Sequence, residues 1–237
     1  KRIAQWRDIV SLDSLTIGGG YVLVTCTETE PDGTHTDIYG AICRIGDGEI
    51  VWKGSIANET NIYEEYSRSC FVSKYNNGNG GFLIIWYNGT DIWIWGRWLY
   101  YDFNEGKWKL TESFRITSTG RLEYWRADQM LCIGGESKAL VVYRYKDYRG
   151  DLGVYARFVR CDGSISGFLK IWDDDDLEET IGVNGAYTEI EDKGYFLVPF
   201  ITGIGDENIV GYSIISEEEE NEVFVTLCDK EGGMYPY

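Results

Sequence analysis

The chain has 237 residues, 39 of them acidic and 22 basic, for a net charge of −17. That balance argues against binding to a phosphate backbone, where Lys and Arg must displace counterions, and against an anionic membrane surface. No apolar run approaches the ~20 residues of a membrane-spanning helix, while 18 Tyr, 9 Trp and 9 Phe supply a large core of the kind that pleated sheets pack well.

Taken in order, the chain reads as four copies of one unit, each with four strand-like runs. In the first unit these are residues 8–12, 21–26, 38–45 and 49–56. In the second they are 70–74, 82–87, 93–101 and 108–115. The third has 130–134, 140–145, 154–161 and 168–172, and the fourth 186–190, 195–200, 209–216 and 223–228. The second runs align best: GYVLVTC, GFLIIWY, KALVVYR and GYFLVPF. They are nearly continuously apolar, as strands covered on both faces are. Pro199 in the last copy is out of place, since proline donates nothing to a ladder. The third runs share an aromatic followed by a small residue, at Tyr39-Gly40, Trp95-Gly96 and Tyr155-Ala156, with a weaker copy at Val210-Gly211. Asp47-Gly48, Glu105-Gly106 and Asp162-Gly163 then supply hairpin turns. Residues 57–67, 117–126 and 173–179 read as connecting loops.

Four-stranded units of this length are what β-propeller blades look like, because stacking covers both faces of each sheet. The expected fold is all-β: a propeller of four blades, each of four antiparallel strands, in one domain with blades near residues 1–60, 61–118, 119–178 and 179–237. A β-sandwich is the competing fold. The residues Asp37-Ile38-Tyr39-Gly40 with Asp47-Gly48, and the run 81–86, resemble blades of extracellular bacterial and archaeal β-propeller repeat proteins. The resemblance spans the chain in degenerate form and carries no WD, kelch or Asp-box signature.

In a propeller the loops entering each first strand rim one face, so ligands are expected there. Those entries hold Trp6, Arg7 and Asp8, then Tyr66 and Arg68, then Trp125, Arg126 and Asp128. Arginine offers a fixed fork of donors, and Trp or Tyr a flat apolar face with a polar edge, a pairing suited to sugars. The competing reading is an Arg–Asp network that staples neighbouring blades. The aromatic group Trp93, Trp95, Trp98, Tyr100 and Tyr101 alternates between two faces and reads as blade packing rather than a sugar platform.

Six cysteines, none in a C-x-x-C pair and with a single His, argue against a zinc site and suggest three disulfides. Cys26 and Cys43 flank one hairpin as a candidate pair. Two N-x-[ST] sequons, at Asn58 and Asn88, point to a surface or secreted protein. No cofactor is expected. A Ca²⁺ site at residues 173–176 with Glu178 and Glu179 lacks the EF-hand spacing and reads better as a solvated loop, as do residues 217–220.

The expected function is therefore a non-enzymatic, extracellular or cell-surface binding or surface-assembly module, adhesin-like or carbohydrate-binding. Its partner would be a carbohydrate or protein at the channel mouth, or further copies of itself, with no nucleic acid and no membrane insertion. The alternative is a glycoside hydrolase or lyase that uses carboxylates at that mouth, such as Asp8 or Asp128.

Overall fold

The computed structural model describes residues 9–29, 35–59, 62–117, 130–146, 152–173, 180–181, 184–204, 207–219, 222–228 and 234–236. The chain divides into two compact units, residues 1–118 and 119–237. Each contains two antiparallel sheets built from consecutive strands.

In the first unit, β1 (Ile9–Gly18), β2 (Tyr21–Thr29), β3 (Thr36–Arg44) and β4 (Ile50–Ala57) form one sheet in chain order. The next holds β5 (Glu64–Val72), β6 (Gly81–Asn88), β7 (Trp93–Asp102) and β8 (Lys107–Leu110). A short β9 (Phe114–Arg115) rejoins β7 at Trp95 and Gly96. The expected strand 108–115 is thus broken at residues 111–113. There Thr111 reaches back to Trp98, accepting from its N–H on Oγ1 (3.1 Å) and donating its own N–H to its carbonyl (3.0 Å).

The core of this unit lies between the two sheets. Leu23, Ile38, Ile42 and Ile56 from the first meet Phe82, Ile84, Trp86 and Leu99 from the second. The aromatic–small pair is explained by this packing: a Cβ on Gly40 would lie 2.6 Å from Ile56 Cδ1, so the glycine lets β4 close down on β3.

The first strands β1 and β5 meet through a different chemistry. Ser14 Oγ and Thr16 Oγ1 both lie 2.7 Å from Ser69 Oγ, and Thr16 also donates to the Ser69 carbonyl at 2.8 Å. The contact is a ladder of hydroxyls.

In the second unit, β10 (Met130–Gly134), β11 (Lys138–Lys146), β12 (Leu152–Arg160) and β13 (Leu169–Asp173) form one sheet. The other contains β14 (Thr180–Ile181), β15 (Ala186–Ile190), β16 (Lys193–Ile204), β17 (Glu207–Ser216), β18 (Val223–Cys228) and β19 (Met234–Pro236). Leu140, Val142, Val154 and Phe158 pack with Phe196, Val198, Phe200 and Ile215.

Pro199 is accommodated by this arrangement. β15 pairs with residues 193–197 of β16, and β14 with residues 200–201, so the proline falls in the gap between them. Its missing N–H removes no ladder bond on that edge.

The disulfide expectation is corrected. Cys26, Cys43, Cys70, Cys132 and Cys161 are thiols. In the β2–β3 register Cys26 lies opposite Tyr39, whereas Cys43 lies opposite Val22. Four residues of strand, roughly 13 Å, separate the two positions, beyond any disulfide's reach. The Asn88 sequon is corrected as well. Asn88 ends β6, is 4 % exposed, and its Oδ1 accepts from the N–H groups of Thr90 and Asp91.

Candidate functional site

At the end of the first unit's strands where β5 begins lies a cleft of about 180 Å³, walled by Asn58, Glu59, Glu64, Trp86, Arg97 and Glu112. β4 ends, β5 starts and β6 ends at this point. Three sheet termini therefore converge there.

Glu64 is the unusual member. It is 1 % exposed, yet it lines the cleft. Burial pushes its carboxyl up to about 8, and the nearby charges of Asp37 and Glu59 push the same way. The backbone N–H of Glu59 and the Arg97 guanidinium pull against that shift without cancelling it. That shift favours the protonated carboxylic acid at neutral pH. Its Oε2 and the indole N–H of Trp86 are both buried without a hydrogen-bond partner among the described residues. The wall of one cleft thus carries a buried carboxyl oxygen and a buried indole donor that no described residue meets, the kind of exception that calls for an explanation. Arg97 is fixed in place, its Nε donating to the Thr111 carbonyl (2.8 Å) and its Nη1 to the Ile56 carbonyl (2.6 Å). Glu59 and Glu112 remain exposed to solvent.

A second pair of carboxylates sits on the first strands. Asp13 accepts from Thr27 Oγ1 (2.7 Å), from the N–H of Ser67 (3.1 Å) and its Oγ (2.9 Å), and from Ser11. Glu65 is pushed up by burial and then by the charge of Asp13.

Of the residues expected at the entries, Trp6, Arg7, Asp8, Trp125, Arg126 and Asp128 lie outside the described residues. The Ca²⁺ loop beyond Asp173 does too. Tyr66 is described, 40 % exposed and at φ 56°, within the irregular pairing between Glu65 and Arg68. Arg68 donates from Nη1 to the carbonyls of Asp13 (3.3 Å) and Ser67 (3.0 Å), so it ties β5 to β1. This is the stapling reading of that arginine. Of the aromatic group, Trp98 is 1 % exposed and stacks on Tyr75 at 4.2 Å, as blade packing requires.

Glu217, expected in a solvated loop, is 3 % exposed. Its carboxylate accepts from Ser137 N–H (2.8 Å) and Oγ (2.9 Å), Lys138 N–H (3.2 Å), Glu136 N–H (3.3 Å) and Tyr187 Oη (2.6 Å). Those donors hold it below the usual carboxylate range against the opposing effect of burial. It locks the β10–β11 turn to the last sheet. Among the described residues no cluster of His, Cys, Asp or Glu is arranged to hold a metal ion, and no helix is long and apolar enough to cross a membrane.

Four consecutive antiparallel sheets define the class: the fold is that of a four-bladed β-propeller. By sequence the chain matches no family model and no curated protein. By structure it resembles the α-L-arabinofuranosidase Arb93A of Fusarium graminearum, solved in complex with an iminosugar inhibitor. The TM-score is 0.57 at 10% identity, covering 95% of this chain and 68% of that one. A second structure of that enzyme gives a TM-score of 0.54 with the same coverage. The catalytic domain of the Coprinopsis cinerea GH62 α-L-arabinofuranosidase matches more distantly, with a TM-score of 0.42, 9% identity, 87% of this chain and 65% of that one. The chain thus spans about two thirds of the length of these enzymes. The expected non-enzymatic binding or surface-assembly module is corrected on this finding, since the propeller matched at a TM-score of 0.57 is an α-L-arabinofuranosidase. The sequence had pointed away from an enzyme because no catalytic set stands out in the one-dimensional pattern.

Proposed function

We propose that the protein is a glycoside hydrolase with Glu64 as its general acid and an α-L-arabinofuranosyl linkage as its leading substrate class. The observation that carries this reading is a buried carboxyl, Glu64, on the wall of a cleft that also bears the solvent-facing side chains of Glu59 and Glu112, with burial and neighbouring charge shifting Glu64 towards its protonated form. A fold hosts many activities, so the argument rests on the site.

Glycoside hydrolysis needs two carboxyl groups in opposite protonation states. Glu64, buried and flanked by negative charge, holds the proton that a leaving-group oxygen requires. Glu59 or Glu112 supplies the second group, as nucleophile or as base for water. Arg97, pinned by two carbonyls, keeps the wall rigid and moderates the repulsion among the acids.

The test is hydrolysis of glycosides whose sugar leaving group departs only with a proton, beginning with α-1,5-linked arabino-oligosaccharides, by the wild type and by Glu64→Gln. Loss of the acid should lower kcat by about 10²–10⁴-fold, the usual contribution of general acid catalysis. Wild-type turnover that survives intact in Glu64→Gln would remove Glu64 from the chemistry. Absence of turnover across the glycoside panel would sink the reading.

A further inference from the structure

The first unit has a second concavity, at the other end of its strands. It measures about 300 Å³ and is walled by Tyr21, Phe71, Tyr101, Phe103 and Trp108, with Asn79 at its edge. Glu64 begins β5 and Phe71 lies near its end, so roughly 25 Å of strand separates the two clefts.

This cleft is built rather than incidental. Trp108 meets Tyr21 edge-on at 5.1 Å, and Tyr101 meets both Phe103 (5.0 Å) and Trp108 (5.7 Å) edge-on. Phe103 is nevertheless 65 % exposed. The turn that carries it is fixed by Asp102 Oδ1, which accepts from the N–H groups of Asn104 (2.9 Å) and Glu105 (3.2 Å). The exposed ring is thus held by a structured turn beside four further aromatic side chains, and it is a contiguous apolar patch of this kind that marks a ligand-binding groove. The floor depends on Gly80, at φ 80°, whose Cβ would lie 2.2 Å from the Phe71 ring.

The charges beside the cleft balance. Lys109 pairs with Asp102 (2.7 Å) and with Glu105, and Lys107 with Glu105 (2.7 Å), so two lysines meet two carboxylates. In a chain of net charge −17 the charges of these four side chains sum to zero. What remains is flat aromatic surface with a side-chain amide at the edge, which suits a ring carrying both C–H faces and hydroxyls.

We propose that this aromatic cleft binds a sugar ring of a neutral polysaccharide, separately from the Glu64 cleft. It rests on the carbohydrate reading above and gives the protein a second hold on the same polymer.

The test uses the full chain and insoluble debranched arabinan in a depletion assay, with polygalacturonate as the anionic control. Wild type should be retained by arabinan and pass polygalacturonate. Phe103→Ala should cut the partition coefficient at least fivefold, and Phe103→Trp should restore it. Hydrolysis of the soluble 4-nitrophenyl arabinofuranoside should stay within twofold in both variants. Glu64→Gln should keep full retention. The proposal is overturned if wild type is not retained, if Phe103→Ala is retained equally, or if retention is lost with Glu64→Gln. Retention that follows Phe103 in a protein without hydrolytic activity would support this cleft and count only against the Glu64 reading.

Discussion

Replacing Glu64 with Gln should stabilise the protein at neutral and alkaline pH, and the size of the effect follows from the raised carboxyl. Its ordinary value is 4.5 and its folded value about 8. A group whose folded value is raised binds its proton more tightly in the native state. Its stabilising contribution is therefore complete below pH 4.5 and is lost as pH rises through 8. Each pH unit in that window is worth about 1.4 kcal/mol, so the loss approaches ~3 kcal/mol at pH 7 and ~5 kcal/mol above pH 8. Glutamine has nearly the same shape and no proton to lose. The variant should match the wild type near pH 4.5 and exceed it by about 3 kcal/mol at pH 7, equivalent to a Tm gain of roughly 6–12 °C for a chain of this size. Denaturant titrations of both proteins at pH 5, 6, 7 and 8 give the difference curve directly. A flat curve would show that burial does not raise the Glu64 carboxyl.

The acid in the second unit should behave oppositely. Glu217→Gln should destabilise by about 2–3 kcal/mol, since a buried charge-assisted acceptor is exchanged for a neutral one. Because Glu217 is held below its ordinary value, its contribution is present above pH 4.5 and fades as pH falls, so the variant's deficit should shrink in acid melts. Asp13→Ala strands the Ser67 N–H and the Thr27 hydroxyl and should cost about 2–4 kcal/mol, read from denaturation midpoints. Native protein should leave Cys26 unreacted towards a thiol reagent until unfolded, because burial and then the charges of Asp13 and Glu28 push that thiol up to about 12. Reductant should leave the melting temperature unchanged, as thiols rather than disulfides line these strands.

The strands that the sequence reveals best are those buried by apolar contacts. β6 and β11 are continuous hydrophobic runs, and their limits fall within two residues of the expected ones. The turns were legible because Gly48, Gly106 and Gly163 all take positive φ after an acid or its equivalent. The first strands were cut short. β1 extends to Gly18 and β5 starts at Glu64, whereas the sequence suggested ends at residue 12 and a start at residue 70. Their polar stretches meet through serine and threonine hydroxyls across the sheets, and such pairing leaves no apolar signature. The same blind spot hid the candidate site. Glu64 sat in what read as a connecting loop, and only the convergence of three strand ends buries it. Glu217 opens a run of four glutamates that resembles a solvated tail, until five donors are brought to it from 30 to 81 residues away in sequence.

The most direct measurement is the pH dependence of kcat for the wild-type enzyme on an α-1,5-linked arabino-oligosaccharide, whose sugar leaving group departs only with a proton. A general acid at Glu64 must be protonated to act, so the rate should hold through neutral pH and fall tenfold per unit above about 8. That alkaline limb should be absent from the residual rate of Glu64→Gln. An alkaline limb that sets in near pH 5, or one that persists in the variant, would contradict the assignment.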